Sequence, residues 1–179
     1  YAAESDAQRG RRLLHGTVDY TDGDLGSMSG DVDVVVAVGY PALRRRIAAR
    51  LRDNERLSFP NLVHPQVDID GLSVAVGVGN MLTKGVVITC DIAIGDFNLV
   101  GWTSTIGHDA SIGSYNVVNP GSNISGWDVI GDACLLGTGC QVLERLTIAS
   151  NVTIGAGAVV TRSIDVPGTY VGIPARLVT

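Results

Sequence analysis

Every sixth residue from position 76 to position 166 is aliphatic: Val76, Leu82, Ile88, Ile94, Val100, Ile106, Ile112, Val118, Ile124, Ile130, Leu136, Val142, Ile148, Ile154, Val160 and Val166. A 3.6-residue helix cannot keep that period in phase, and neither can plain alternation. Short strands joined by corners can, and three hexads then make one triangular turn of 18 residues. The run predicts a parallel β-helix of five uninterrupted turns, mainly β in class. Glycine often follows the aliphatic residue, as at Gly95, Gly107, Gly113, Gly131, Gly137 and Gly155, which suggests a corner in need of backbone freedom. Four residues after the aliphatic the side chain is usually small (Ser104, Ala110, Ser122, Cys134, Cys140, Ala158).

Stacking by 18 says which side chains lie above one another. Asn80, Asn98 and Asn116 fall in one inward column, and adjacent rungs ~4.8 Å apart would let their amides form an internal ladder. Asp128 is also inward, with no evident partner beyond a neighbouring amide or indole. Cys134 and Cys140 sit inside and read as reduced core residues. Cys90, His108, Gly126, Glu144 and Arg162 share one corner, each a turn above the last. His108 is the repeat's one histidine, and its place after a corner glycine turns the ring outward. An imidazole ordinarily titrates near ~6.5 and accepts a proton from an amine or hydroxyl at neutral pH. Asp109 beside it can orient the ring or hold a substrate ammonium.

Other classes fit poorly. A zinc site needs about three converging histidines, and His15 and His64 lie outside the repeat, so no metal is expected. A net charge of -5 and a pI near 5.0 offer no general attraction to nucleic acid or anionic membrane. No apolar run approaches ~18 residues and no leader peptide is visible, which points to the cytoplasm.

The first 60 residues differ in character. Residues 1–30 are polar, with loops expected at 2–6 and 22–24. Residues 31–39 read as a buried parallel strand. Pro41 then suits a first helical turn, with Leu43, Ile47 and Leu51 on one apolar face and Arg44, Arg45, Arg46, Arg50 and Arg52 mostly on the others. Strand, turn and helix make half of a mononucleotide-binding unit, and Gly39 and Tyr40 at the helix N-terminus are candidates to receive a substrate phosphate. Residues 57–65 read as a further strand and linker, and the tail after Val166 leaves the repeat. The expected division is a small, incomplete α/β Rossmann-like domain at 1–60 and a β-helix with its tail at 61–179.

Residues 106–115 (Ile-Gly-His-Asp-Ala-Ser-Ile-Gly-Ser-Tyr), with the closing segments 154–162 and 171–176, resemble the bacterial hexapeptide acyltransferases. More narrowly they are similar to the branch that acetylates sialic acids or nucleotide-linked amino sugars. The resemblance implies a left-handed coil, a homotrimer, acetyl-CoA as donor and an N-terminal domain that holds the sugar nucleotide. It makes His108 the general base, Asp109 its acidic neighbour, and Gly126 the residue whose N–H faces the thioester carbonyl. Glu144, Arg162 and Arg176 then line the path of acetyl-CoA. Arg162, three turns or ~14 Å above His108, would meet the phosphate end of the extended pantetheine arm. N-acetylation of a nucleotide-linked amino sugar is the expected reaction; the alternatives are sialic acid O-acetylation and a non-catalytic scaffold. Two departures stand out: relatives place a second histidine where this chain has Val117, and their leading strand with its glycine-rich loop would precede Tyr1.

Overall fold

The computed structural model describes residues 2–3, 6–28 and 30–178. Its main body is a parallel β-helix with three faces. One face stacks Leu62–Val63, Met81–Leu82, Leu99–Val100, Val117–Val118, Leu135–Leu136 and Val152–Ile154. The second runs from Asp68–Ile69 to Val159–Val160, and the third from Val74–Val76 to Thr147–Ile148. Pairing is parallel and spaced by 18, as in Ile88 with Ile106 and Ile106 with Ile124. The hexad aliphatics from Leu82 to Val160 are at most 3% exposed, and each buried Ile or Leu is worth ~2 kcal/mol over an exposed one.

The ends depart from the strict period. The coil begins a turn early, at Leu62–Val63, and pairs there with an offset of 19: Leu62 lies on Met81, and Ile69 on Ile88. The extra residue is absorbed in the turn at residues 70–73, where Leu72 is 99% exposed. At the other end Val166 is not a core residue: it is 58% exposed, and Ile164 takes its place, bridged to Ile148. The last corner is therefore two residues short. The tail does not leave the sheet at once, because Gly168–Val171 adds another parallel rung on Val152–Ile154. Arg176–Leu177 then returns antiparallel.

The corner glycines serve a different need from the one expected. Left-handed torsions fall two residues later, on Phe97, Asp109, Tyr115 and Ala133 among others. Gly95 and Gly107 are required by close approach: a Cβ on Gly107 would lie 2.7 Å from the Gly126 nitrogen, and one on Gly95 2.9 Å from the Gly113 carbonyl carbon. The asparagine ladder forms, mostly by capping the backbone of the next turn. Asn98 N–H donates to Asn80 Oδ1, Asn116 N–H to Asn98 Oδ1 (2.8 Å each), and Cys134 N–H to Asn116 Oδ1 (2.7 Å). Cys134 and Cys140 are buried free thiols whose pKa burial pushes up.

Before the coil, Val32–Asp33 pairs in parallel with Leu57–Ser58 across the helix Pro41–Leu51. The regular strand is shorter than the 31–39 run, although Val34 and Val36 are buried. The helix presents Pro41, Arg44, Ala48 and Leu51 inward, so its buried face is rotated from the expected one. Arg44 is the reason. It is 0% exposed, its Nε donates to Val38 O (2.9 Å) and one Nη to Phe97 O (3.2 Å), and desolvation lowers its pKa to about 10. That guanidinium ties the helix to the coil, where Phe97 packs with Val36 and Ala48 and stacks on Tyr115 at 5.7 Å. Of the two expected loops, residues 22–24 are helical within Asp22–Gly26: Asp24 N–H donates to Thr21 Oγ1 and Thr21 N–H to an Asp24 oxygen, a capping box. In the other, Ala2–Ala3 pairs with Tyr20–Thr21, and Glu4 and Ser5 lie outside the described residues.

Candidate functional site

Three corners run up the coil, and on one of them the amide after the corner glycine is closed by side chains while on the other two, among the described residues, it is not. On the corner leading into the Leu99–Val100 face, side chains from the turn above close these amides. Val78 N–H donates to Asp96, Asp96 N–H to Ser114, Ser114 N–H to Asp132 and Asp132 N–H to Ser150, at 2.7 to 3.0 Å. On the His108 corner the corresponding amides of Cys90, His108, Gly126, Glu144 and Arg162 have no acceptor among the described residues. This edge offers a column of unengaged N–H donors at the rung spacing of ~4.8 Å.

His108 stands in that column and is 45% exposed. Its Nδ1 lies 2.8 Å from an Asp109 carboxylate oxygen, which favours the tautomer with a proton on Nδ1 and leaves Nε2 as acceptor. Asp109 can reach because it takes the left-handed corner conformation, φ 58°. Gly126 is directly above: Trp127 N–H donates to His108 O at 2.9 Å, in register with Asp109 N–H on Cys90 O. A Cβ on Gly126 would lie 2.9 Å from both Cε1 and Nε2 of His108, so only glycine lets the ring rest against this amide.

Trp127 and Arg145 were missed in the sequence, although the 18-residue count from Asp109 passes through both. The Trp127 ring meets His108 edge to face, centroids 4.4 Å apart, and the Arg145 guanidinium covers the indole at 4.0 Å. Together they brace the imidazole. Asp128, unexplained by the spacing, is fully buried and accepts from Leu146 N–H at 2.8 Å and Ser125 N–H at 3.1 Å. Val117 is buried, 1% exposed.

Of the other sequence candidates, Glu144 and Arg162 stand higher on the His108 column and the rest lie elsewhere. Glu144 is exposed one turn above Gly126, Arg162 lies on the shortened last corner, and Arg176 is in the returning strand with its Nη1 on Ala175 O. Gly39 and Tyr40 are exposed at the start of the helix, which lacks a side-chain cap and docks on the Phe97 and Tyr115 corner. Within one protomer they therefore belong to a different corner from His108. Among the described residues no cluster of His, Cys, Asp or Glu is arranged to hold a metal. No helix there is long and apolar enough to cross a membrane.

The family described as bacterial transferase hexapeptide (six repeats) matches residues 129–162. This part of the coil is similar to the bacterial hexapeptide-transferase repeat. Serine acetyltransferase of Staphylococcus xylosus is 47% identical over 49 residues, 27% of this chain and 23% of that protein. The matched stretch thus spans about a quarter of such curated relatives. Solved structures match over far more of the chain. A histidine-to-asparagine mutant of perosamine N-acetyltransferase from Caulobacter crescentus, in complex with CoA and GDP-perosamine, has a TM-score of 0.89 at 29% identity and is covered over 80% of its length by 94% of this chain. The acetyltransferase domain of PglB from Neisseria gonorrhoeae, in complex with acetyl coenzyme A, has a TM-score of 0.89 at 29% identity, with 97% of this chain on 84% of that one.

Proposed function

We propose that this protein is an acetyl-CoA-dependent N-acetyltransferase acting on a nucleotide-linked amino sugar, with His108 as general base. One observation carries the reading: an exposed imidazole, held through Nδ1 by Asp109, lies against Gly126, whose N–H is unengaged. The likeness to two structures that bind CoA or acetyl coenzyme A, one of them with GDP-perosamine, supports the choice of co-substrates. In this reading the coil is left-handed, residues 1–60 contribute to a Rossmann-like sugar-nucleotide unit, residues 61–179 form the transferase domain, and the protein works in the cytoplasm.

The chemistry follows from the corner. His108 Nε2 takes a proton from the attacking amine while Asp109 stabilises the imidazolium that forms. The amine nitrogen bonds to the acetyl carbonyl carbon, and Gly126 N–H donates to the oxygen as it gains charge. Collapse expels CoA as thiolate, which recovers the proton from His108. No acyl-enzyme is needed, because the thioester is already activated. The unengaged amides of Glu144 and Arg162 continue the donor column toward the pantetheine arm, with the Arg162 and Arg176 side chains for the phosphates.

An edge of a single coil is open to water, and Gly39 and Tyr40 lie on another corner. A homotrimer answers both points, since a neighbouring subunit then closes the site and brings acceptor-binding residues to it. His108→Ala is expected to lower kcat by ~10² to 10⁴-fold while the variant still binds acetyl-CoA and keeps its oligomeric state. Near-normal turnover in a thiol-release assay with GDP-perosamine or a UDP-linked amino sugar would overturn the assignment.

A further inference from the structure

Asp128 occupies an inner column whose members on other turns, Val74, Ile92, Ala110 and Leu146, are all apolar and packed in or against the core. A hydrophobic residue evidently fits there. A carboxylate with 0% exposure is the expensive choice, so stability alone does not select it. Its position relative to the His108 corner supplies a reason. One oxygen accepts the N–H of Ser125, the residue before Gly126, which is shared with Val142 O at 3.2 Å. The other accepts the N–H of Leu146, the residue after Arg145, whose guanidinium covers Trp127. One side chain thus ties the turn that carries Gly126 and Trp127 to the turn that carries Arg145.

We propose that Asp128 is a positioning residue, whose ionised carboxylate holds residues 125–127 so that the Gly126 amide and the Trp127 ring stay fixed against His108. This rests on the transferase reading for its catalytic consequence. The two donors lie on different sides of the carboxylate and are received by different oxygens. The asparagine rungs show what an amide can do: Asn98 Oδ1 receives one N–H from the turn above. An amide at position 128 would satisfy Leu146 but turn its own NH₂ toward the Ser125 N–H. A protonated carboxyl would fail in the same way.

Glu144 acts on Asp128 from the turn above, where Arg145 also precedes Leu146, and His108 and Asp109 precede Ala110 on the turn below. Burial and Glu144 push its carboxyl up to about 6, against the pull of the two N–H donors. The hold therefore loosens as pH falls through about 6.

The test compares wild type with Asp128→Asn and Asp128→Val in the full chain. Expected in both variants are a melting temperature at pH 8 no lower than wild type and Trp127 amide exchange at least about tenfold faster. kcat should fall at least about tenfold, with the KM for acetyl-CoA within about threefold. In wild type, Trp127 protection should drop as pH falls through about 6, a step absent from Asp128→Asn. Unchanged Trp127 exchange in both variants overturns the proposal whether or not turnover is measurable, and faster exchange with wild-type kcat overturns its catalytic part. Faster exchange together with a wild-type protein that turns over neither sugar nucleotide removes the transferase reading but supports the hold on the corner.

Discussion

At position 126 a single hydrogen in place of a methyl group decides whether His108 can lie against a backbone amide. A Cβ there would sit 2.9 Å from two imidazole atoms, well inside van der Waals contact, and Asp109 holds the ring from the other side. Gly126→Ala is therefore expected to rotate the ring away and lower kcat by about 10²-fold, with acetyl-CoA binding little changed. Steady-state kinetics together with the His108 ring NMR shifts would check it, and a variant with unshifted resonances and full activity would contradict the geometry. The pairing of His108 with Gly126 was legible from counting by 18, because both occupy one column. The bracing by Trp127 and Arg145 was not, since cation–π and edge-to-face contacts depend on side-chain rotamers that a backbone period leaves open.

Among the elements, the coil and the helix behaved differently as objects of sequence reading. The hexad period survives in the structure because each turn makes the same hydrogen bonds to the turn below, so one repeat determines the next. It fails where that constraint lapses, at the first turn with its added residue and at the last corner, closed early by Ile164. The Pro41–Leu51 helix has no such neighbour-to-neighbour template. Its apolar residues marked a face through Leu43 and Ile47, yet both are only half-buried and Arg44 is fully buried beside Ala48, because Val38 O and Phe97 O need donors. Arg44→Met is expected to cost ~2 kcal/mol, concentrated in the N-terminal unit. Faster hydrogen exchange at Val36 and Ala48 with coil residues unaffected would show it; unchanged exchange would mean the guanidinium is dispensable.

For the whole molecule, the buried carboxylate has a thermodynamic signature of its own. The folded protein binds the Asp128 proton more tightly than the unfolded chain, about 6 against 3.8, so this group opposes unfolding least at neutral pH. Its contribution is fully present below about pH 4 and is lost as pH rises through about 6, a span of up to ~3 kcal/mol. Thermal melts of Asp128→Asn should show an advantage over wild type that grows between pH 4 and 7. An advantage that shrinks over that range would reverse the sign of this account. In the proposed homotrimer the exposed edge that carries His108 gains its second wall from another copy.

The chain alone determined the period, the triangular turn, the inward asparagines and the alignment of His108 with Gly126, because a solenoid turns distance along the sequence into position in space through a fixed repeat. Tertiary structure alone decided where the repeat starts and stops, which helix face is buried, why the corner glycines are glycine, and what Asp128 holds. Each of those depends on which atoms meet across the fold, where open carbonyls, spare amides and free volume set the outcome, and the six-residue period does not encode them.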